Sequence, residues 1–359
     1  MSLIKKIRVL VVDDSAVVRR MISDALAVDP GLEVVGTACD PYVARDKILE
    51  LNPDVLTLDL EMPRMDGLTF LRILRQHRPI PVVVVSSLTA AGSRLAMTAM
   101  ELGAVDVLAK AQAGGNPGEW REQLRQRVKG AAGARLSNLV APTPAAHGAA
   151  AAAHFSPRQV VLIGASTGGT EAVKHVLTRL PDGLPGICIV QHIPPVFSKT
   201  FADRLNECCA FEVHEAVHGE ALRPGLALVA PGDQHLTLAW HGTGYRVALH
   251  QGPIIHHVRP AVDVLFESAL GAGKNALAIL LTGMGRDGAQ GMKELKAAGA
   301  ATIAQNEDTC VVYGMPRAAV ELGAVDRVLP LDQIPQAILQ VLLEGHEKFP
   351  PKPVPLQTE

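Results

Sequence analysis

The stretch Arg158 to Gly169, RQVVLIGASTGG, decides the fold of the second half of the chain. Residues 160–163 are apolar and mostly β-branched, which predicts a strand buried on both faces of a parallel sheet. The Gly/Ser/Thr cluster that follows ends this strand and places Ser166 on a tight turn into a helix. Glycines on both sides of Ser166 let the backbone bend sharply and expose N–H groups, which a developing oxyanion requires.

Residues 164–168 also fit the Gly-x-Ser-x-Gly pattern, in which an exposed nucleophilic serine lies at the edge of an α/β sheet. An ordinary glycine-rich turn and a phosphate-binding loop are the alternatives that these residues leave open. The stretch contains neither Gly-Lys-Ser/Thr nor a complete Gly-x-Gly-x-x-Gly, which counts against the nucleotide-binding interpretations.

Length and composition indicate a globular protein of roughly two domains, with 359 residues and 48% hydrophobic residues. A net charge of −2 argues against an electrostatic nucleic-acid binder. The five cysteines are scattered and lack Cys-x-x-Cys spacing, which suits reduced thiols in the cytosol. No apolar run approaches the roughly 20 residues that span a bilayer. We therefore expect a soluble cytoplasmic protein that neither binds nucleic acid nor inserts into membranes.

The first domain, expected over residues 1–128, alternates strand-like and helix-like segments five times. The predicted strands are 7–12, 32–37, 53–60, 81–85 and 104–108. Ser15 and the pair Asp40-Pro41 are typical helix starts between them. This alternation predicts a doubly wound α/β domain with a parallel sheet, whose ligands bind at the carboxyl ends of the strands.

Polar residues follow those strands where each one ends. Asp13, Asp14 and Asp59 would converge there, and three carboxylates repel one another unless a hard cation such as Mg²⁺ neutralises them. Ser86 and Lys110 end the fourth and fifth strands, where they could supply a hydroxyl and an ammonium to an added phosphoryl group. A polar residue at every strand end is a more specific signal than any of these residues alone.

The stretch 53–67, PDVLTLDLEMPRMDG, resembles the phosphoacceptor segment of response-regulator receiver domains. With VVDDSA before it and VSS and AK after it, the resemblance covers about residues 5–125 and implies a flavodoxin-like fold. By that resemblance the phosphoryl group goes to Asp59, Mg²⁺ is held by Asp13, Asp14 and Asp59, and the phosphate is sensed by Ser86 and contacted by Lys110. Receivers usually have proline after this lysine, whereas this chain has Ala111.

Between the domains, residues 129–156 are rich in alanine, glycine and proline and nearly lack large apolar side chains. They predict a flexible linker, with an alanine-rich helix as the alternative. The second domain is expected over residues 157–347, followed by a tail, 348–359.

Two further strands in the second domain end at chemically useful residues. Residues 187–191 precede His192, and residues 276–282 precede a glycine-rich loop that carries Asp287. Ser166, His192 and Asp287 thus follow three predicted parallel strands, and such strand ends are where α/β folds assemble sites. The histidine is placed to act as a base and the aspartate to orient it. The order Ser, His, Asp differs from the Ser, Asp, His order of α/β-hydrolases.

The motifs GASTGG, QHIPP, APGDQH (230–235), RPAVD (259–263) and TGMGRDGAQG resemble the catalytic domain of the chemotaxis protein-glutamate methylesterase family. The resemblance covers residues 157–347 and implies a Rossmann-like domain. It further implies that Ser166 is the nucleophile, His192 the general base and Asp287 the group that holds the imidazole, with the Met284 N–H at the oxyanion and Thr167 lining the pocket. The family often has histidine before Arg-Pro, where this chain has Val258.

The resemblance implies a phosphorylation-regulated serine esterase that hydrolyses glutamate methyl esters on chemoreceptors and also deamidates glutamines. Its partners would be methylated chemoreceptor cytoplasmic domains and a chemotaxis-type histidine kinase as phosphodonor. We expect Mg²⁺ in the receiver and no cofactor in the esterase domain, because a zinc site needs three or four convergent ligands. The remaining histidines, His214, His218, His256 and His257, are expected at the surface or the rim of the site.

Three alternatives remain open from the sequence. The second domain could bind partners without catalysis, although all three triad residues are present. It could be a general hydrolase of small esters or peptides, which the attached receiver disfavours. Lastly, it could serve a receptor array outside chemotaxis, because fold analogy does not fix a substrate.

Overall fold

The computed structural model describes residues 5–111, 116–138 and 155–345, and the chain divides into two compact units, Met1–Val140 and Ala141–Glu359. Each unit is an α/β domain with a parallel sheet, which confirms the predicted fold class. Within the described residues, no helix is both long enough and apolar enough to cross a membrane.

The first unit is a five-stranded parallel sheet in the order β2-β1-β3-β4-β5. Its strands are β1 (Ile7–Val12), β2 (Leu32–Ala38), β3 (Val55–Leu58), β4 (Val82–Ser86) and β5 (Asp106–Ala109). Its helices are α1 (Ala16–Ala27), α2 (Pro41–Leu51), α3 (Gly67–His77), α4 (Ala90–Glu101) and α5 (Pro117–Ala132), with a 3₁₀ turn at Leu136–Asn138.

Helix starts in this unit follow the sequence signals. The Ser15 hydroxyl accepts the N–H of Val18 at 3.4 Å, and the Asp40 carboxylate accepts two N–H groups at the start of α2. Helix α5, in contrast, continues four residues beyond the expected domain end at 128, because Leu124, Val128 and Ala131 form one buried stripe. Residues 139–154 of the expected linker and the whole expected tail lie outside the described residues.

The second unit contains a seven-stranded parallel sheet in the order β15-β14-β13-β6-β7-β10-β8. Its strands are β6 (Val160–Ala165), β7 (Ile187–Gln191), β8 (Glu212–Glu215), β10 (Leu226–Val229), β13 (Ala276–Leu280), β14 (Ala301–Gln305) and β15 (Arg327–Leu329). Its helices are α6 (Gly169–Leu177), α7 (Phe197–Cys208), α8 (Val262–Ser268), α9 (Ala289–Ala297), α10 (Met315–Glu321) and α11 (Ile334–Glu344), with 3₁₀ turns at Leu270–Asn275 and Leu331–Gln333.

A small antiparallel sheet accompanies this parallel sheet, with strands β9 (Ala221–Leu222), β11 (His235–His241) and β12 (Gly244–His250) in the order β11-β12-β9. Of the strand-like apolar runs at 226–230, 236–239 and 246–250, only the first joins the parallel sheet. The other two form a hairpin, because residues 242 and 243 make a tight turn with Gly242 at φ +61°.

The position of β6 determines where a site can form in the second unit. The chain passes from β6 to β7 on one side, then returns to place β13 on the other side of β6. The sheet order therefore reverses between β6 and β13, and such a switch point opens a crevice at the carboxyl ends of the strands. The residues after β6, β7 and β13 all lie at this edge.

Candidate active site and phosphoacceptor site

Ser166 and His192 directly follow two neighbouring strands in matched register. Ala165 pairs with Gln191 in the parallel ladder, and the N–H of His192 donates to the carbonyl of Ala165 at 3.1 Å. The next residue on each strand is Ser166 and His192, respectively. Since neighbouring strands lie about 4.8 Å apart, the backbones of Ser166 and His192 are neighbours at the edge of the sheet.

The turn that carries Ser166 is fixed by side chains from the strands on both sides. The Gln191 amide donates to the carbonyl of Ser166 at 2.8 Å, and the Thr282 hydroxyl donates to the carbonyl of Thr167 at 3.0 Å. Gly168 then takes φ +75°, a left-handed conformation that glycine adopts without steric cost. The serine is thus held on a rigid backbone.

His192 makes a buried hydrogen bond with Asp287, with 2.8 Å between Nε2 and Oδ2. The side chains are 5% and 3% exposed, respectively. Because Asp287 engages Nε2, a proton that His192 accepts from another group would go to Nδ1. The predicted histidine–aspartate pair is therefore present in the geometry.

Asp287 also caps helix α8 from outside that helix. Its carboxylate accepts the N–H of Val262 at 2.7 Å and that of Asp263 at 3.0 Å. Ala261 precedes the helix and has no side chain that could cap it, so Asp287 satisfies donors that would otherwise be unpaired. Burial acts to raise the pKa of Asp287, but the His192 hydrogen bond and charge, with these two N–H groups, prevail and lower it below 3.8.

The loop after β13 brings Met284 close to the serine turn. The N–H of Ser166 donates to the Thr282 carbonyl at 3.0 Å, and a Cβ added to Gly283 would lie 2.7 Å from Ser166 Cβ. Within the described part of the chain, the N–H of Met284 has no acceptor. Thr167 is 3% exposed, so it can line only the inner wall of a pocket.

The motifs at 230–235 and 259–263 hold the loops behind Asp287. Arg259 pairs with Asp233, with 2.9 Å between Nε and Oδ1. His235 donates from Nε2 to the carbonyl of Pro253 at 2.8 Å and accepts the N–H of Ala261 at Nδ1, 3.2 Å away. Burial lowers the pKa of His235, so the neutral imidazole is the favoured form. These residues fix the start of α8, which in turn contacts Asp287.

Three of the four remaining histidines have structural partners. His214 lies 2.7 Å from Glu220, and His218 lies 3.1 Å from the carbonyl of Leu249. No sequence pattern predicted the contact of His256 with Asp263, which is 3.1 Å between Nε2 and Oδ2. One ligand atom from each of His256, Asp263 and Asp287 lies within 4.8 Å of the others. Asp263 is the last residue of the RPAVD motif, but its neighbours in the sequence give no sign that its N–H binds the carboxylate of Asp287.

In the first unit, Asp13, Asp59 and Lys110 meet at the carboxyl edge of the sheet. The Lys110 ammonium lies 2.7 Å from Asp59 Oδ2 and 2.9 Å from Asp13 Oδ2. The three acidic side chains Asp13, Asp14 and Asp59 place oxygens within 4.8 Å of one another. Asp13 and Asp59 are buried and Asp14 is exposed, so the cluster opens to solvent on one side.

Charges in this cluster alter its titration. Burial raises the pKa of Asp59, and the nearby Asp13 adds to this rise, against the effect of Lys110. Burial acts to lower the pKa of Lys110, but its contacts with Asp59 and Asp13 prevail and raise it above 10.5. In the described part of the chain, three acidic side chains lie together and the Lys110 ammonium pairs with two of them, which is an environment that a divalent ion would neutralise.

Ser86 ends β4 and is fully buried, with its hydroxyl 3.5 Å from the carbonyl of Gly92. The N–H of Lys110 donates to the Ser86 carbonyl at 2.8 Å, which keeps these two residues adjacent although Ala111 replaces the usual proline. The structure thus brings together the five receiver residues that the sequence singled out.

Comparisons with known proteins agree with both halves of the chain. Residues 9–116 match the model of the response regulator receiver domain, and residues 161–338 match that of the CheB methylesterase. The chain is therefore a response regulator that carries an esterase domain. A protein-glutamate methylesterase/protein-glutamine glutaminase 2 of Syntrophus aciditrophicus (strain SB) is 50% identical over 341 residues, which are 94% of this chain and 99% of the relative. The chain belongs to the protein-glutamate methylesterase/protein-glutamine glutaminase family.

Two further relatives support this membership. The protein-glutamate methylesterase/protein-glutamine glutaminase of Salmonella typhimurium is 49% identical over 346 residues, 95% of this chain and 98% of the relative. The crystal structure of the Thermotoga maritima CheB methylesterase catalytic domain has 39% identity and a TM-score of 0.50, and the match covers 51% of this chain and 98% of that chain. These matches confirm the predicted enzyme class and set aside an output domain without catalysis.

Proposed function

We propose that this chain hydrolyses γ-methyl esters of glutamate on chemoreceptor cytoplasmic domains, releases methanol, and deamidates glutamine at equivalent positions. Ser166 is the nucleophile, His192 the general base and Asp287 the residue that orients it. The observation that carries this proposal is the buried 2.8 Å contact between His192 and Asp287. His192 directly follows the strand that pairs, in matched register, with the strand before Ser166. The names of these relatives give the substrate class, which is methyl esters of glutamate and glutamines in proteins.

Ester cleavage follows from this arrangement in two steps. Ser166 Oγ attacks the ester carbonyl while its proton passes to Nδ1 of His192, and the N–H of Met284 stabilises the oxyanion. The tetrahedral intermediate collapses, the bond to the methoxy oxygen breaks, and His192 returns the proton so that methanol leaves. Water then attacks the acyl-serine with His192 again as base, which releases glutamate and restores Ser166.

Deamidation uses the same groups with a different leaving group. His192 protonates the departing amide nitrogen, so that ammonia leaves and the same acyl-serine forms. An amide carbonyl is less electrophilic than an ester carbonyl, so we expect deamidation to be the slower reaction.

Asp59 is proposed to accept a phosphoryl group from a chemotaxis-type histidine kinase, and this modification regulates the esterase. Mg²⁺ would be held by Asp13, Asp14 and Asp59, where it neutralises the carboxylates and the phosphoryl oxygens when bound. Two observations support this assignment. The acidic cluster is exposed on one side, and the Lys110 ammonium pairs with Oδ2 of Asp13. Ser86 and Lys110 are then placed to contact the phosphoryl group.

The proposed organisation is a receiver, a linker and a methylesterase domain that act in the cytoplasm, without nucleic-acid binding or membrane insertion. The end of α5 supports a linker that begins after Ala132 rather than at residue 129. All five cysteines are free thiols, which fits a reducing compartment.

Methanol release from a methylated chemoreceptor cytoplasmic fragment tests this function directly. We expect methanol from the full chain, faster after addition of acetyl phosphate and Mg²⁺, and ammonia from the corresponding glutamine-containing fragment. A folded enzyme that cleaves small esters but leaves the methylated fragment unchanged would contradict the substrate assignment.

A further inference from the structure

Two exposed valines lie at the edge of the sheet that carries the triad. Val196 is 40% exposed and Val217 is 62% exposed. Val196 lies five residues beyond the end of β7, in the segment that begins with His192, and Val217 lies two residues beyond the end of β8. Among the described residues of the second unit, Leu343 is the one other large hydrophobic side chain that is exposed. Apolar exposure in this unit is therefore concentrated at the catalytic edge.

The first turn of α7 holds the segments of the two valines together. The Ser198 hydroxyl donates to Glu215 Oε1 at 2.6 Å and accepts the N–H of Gly232 at 3.0 Å. Ser198 lies two residues after Val196 in the chain. Glu215, the last residue of β8, lies two residues before Val217. The two side chains therefore belong to one surface, which we call the valine patch.

Val196 has a backbone conformation that its side chain disfavours. Its φ and ψ are +71° and −38°, close to the classic γ-turn, which is rare and strained. A β-branched residue at positive φ is an outlier, and glycine would adopt the same conformation without this cost. The residue is exposed, so packing within the domain does not by itself require a valine here. Strain of this kind clusters at functional sites.

The substrate side chain is short, and this determines how close the receptor must come. The γ-carbonyl of a glutamate residue lies three C–C bonds, under about 4.5 Å, from its backbone. Ser166 is 9% exposed, so the main chain of the substrate protein must press against the residues around the serine. A protein bound there with an interface of about 600–800 Å² per partner covers a disc of roughly 14–16 Å radius.

The valine patch falls inside such a disc centred on Ser166. Strand β10 is two positions from β6 in the sheet and β8 is three, which at about 4.8 Å per strand gives about 10 Å and 14 Å. The loop that leads to Val196 packs at the end of β10, where a Cβ added to Gly232 would lie 2.3 Å from the backbone nitrogen of Pro195. Val217 directly follows the end of β8. A receptor that delivers its ester to Ser166 therefore covers both valines.

Leu343 is an exposed apolar side chain outside that disc. It is 56% exposed and lies in the last turn of α11. The neighbouring Leu342 carbonyl accepts the amide of Gln159 at 3.1 Å, and Gln159 directly precedes β6. Strand β6 has six residues, so about 20 Å separates its two ends. Leu343 therefore lies at the edge of the sheet opposite to Ser166.

We propose that Val196 and Val217 form a docking patch for the chemoreceptor cytoplasmic domain that carries the methyl ester. This inference rests on the proposed function. Burial of these apolar side chains adds binding energy that a protein substrate can use, whereas a small ester reaches Ser166 without covering the patch. The two valines thus determine specificity, because they favour the receptor over small esters and take no part in the chemistry.

The test uses the full chain with acetyl phosphate and Mg²⁺, and compares a methylated chemoreceptor cytoplasmic fragment with 4-nitrophenyl acetate as a small ester. Val196→Ala and Val217→Ala should each raise KM for the fragment about three- to tenfold, the effect of losing part of one buried aliphatic side chain. The kcat for the fragment should not change, because binding common to ground and transition states is lost. The rate on the small ester should stay within about twofold of the wild type. Leu343→Ala is the matched control, and its KM for the fragment should equal that of the wild type.

Val196→Gly separates docking from folding. Because glycine relieves the backbone strain, the Tm of this variant should rise while its KM for the fragment also rises, and a merely structural role would not raise KM in a more stable protein.

Unchanged KM for the fragment in folded Val196→Ala and Val217→Ala would overturn the inference. A faster reaction of these variants with the small ester in the absence of acetyl phosphate would also overturn it, because the patch would then serve the receiver. A wild-type enzyme that cleaves the small ester but releases no methanol from the fragment would instead contradict the proposed function, on which the inference rests.

Discussion

Replacing Asp287 by alanine should damage both stability and activity, because this carboxylate has two separate tasks. It accepts the backbone N–H groups of Val262 and Asp263, and it holds His192 at 2.8 Å. Leaving two buried N–H groups unpaired costs about 1–3 kcal/mol each, or about 2–6 kcal/mol in the free energy of unfolding. Removing a charge beside Asp263 offsets part of this loss, so we expect a net destabilisation of about 2–4 kcal/mol.

The activity loss should be larger than the stability loss can explain. Without the carboxylate, His192 loses both its orientation and the charge that stabilises its imidazolium, which in serine hydrolases lowers kcat about 10⁴-fold, or about 5 kcal/mol. Urea unfolding of the full chain and initial rates of methanol release would measure the two effects separately.

Asp326→Ala is the matched control for this experiment. Asp326 is also a buried carboxylate, and it accepts the N–H of Thr302 at 2.9 Å at the other side of the sheet, away from His192. We expect a similar destabilisation with kcat/KM within about twofold of the wild type, because residues outside a site affect stability and not chemistry. Wild-type stability in Asp287→Ala, or an equal loss of kcat in Asp326→Ala, would refute the reasoning.

Three further predictions concern strain, phosphorylation and pH. Val196→Gly should stabilise the second unit by about 1 kcal/mol in thermal unfolding, because valine at φ +71° is strained by more than glycine costs in chain entropy, and a lower Tm would contradict this. Asp59→Asn should fold normally and show no rate increase with acetyl phosphate, whereas a wild-type response would transfer the phosphoacceptor role to another residue. Burial raises the pKa of Asp263 above 3.8. The stability that the protonated Asp263 side chain contributes is therefore lost as the pH rises from about 3.8 through the folded-state pKa. The free-energy gap between Asp263→Asn and wild type should therefore grow in favour of the variant across that range, and a constant gap would speak against the raised pKa.

Local patterns were sufficient to predict the central strands and the residues at their ends. Residues 160–163 and 276–280 are continuous apolar runs because they are buried on both faces, so their ends, and with them Ser166 and Asp287, could be located. Edge strands carry a weaker signal. Residues 212–215, EVHE, are partly exposed and charged, and no pattern predicted that they extend the sheet.

Contacts between distant segments could not be predicted in the same way. Ala261 has no capping side chain, and the cap comes from Asp287, which follows 26 positions later in the printed sequence. The contact between His256 and Asp263 likewise depends on a turn whose two histidines have unfavourable positive φ, which turn propensities argue against. Tertiary interactions outweigh local preference at both places, and both lie beside the triad.

The most direct test of the serine mechanism is the rate of methanol release by Ser166→Ala, compared with Thr170→Val. Thr170 lies in the first turn of α6, the helix that follows Ser166, and is 4% exposed. Its valine variant removes a nearby buried hydroxyl that takes no part in the proposed chemistry. We predict that kcat/KM falls by at least about 10⁴-fold in Ser166→Ala and stays within about threefold of the wild type in Thr170→Val. A folded Ser166→Ala protein that keeps a tenth or more, roughly, of the wild-type rate would contradict nucleophilic catalysis by this serine.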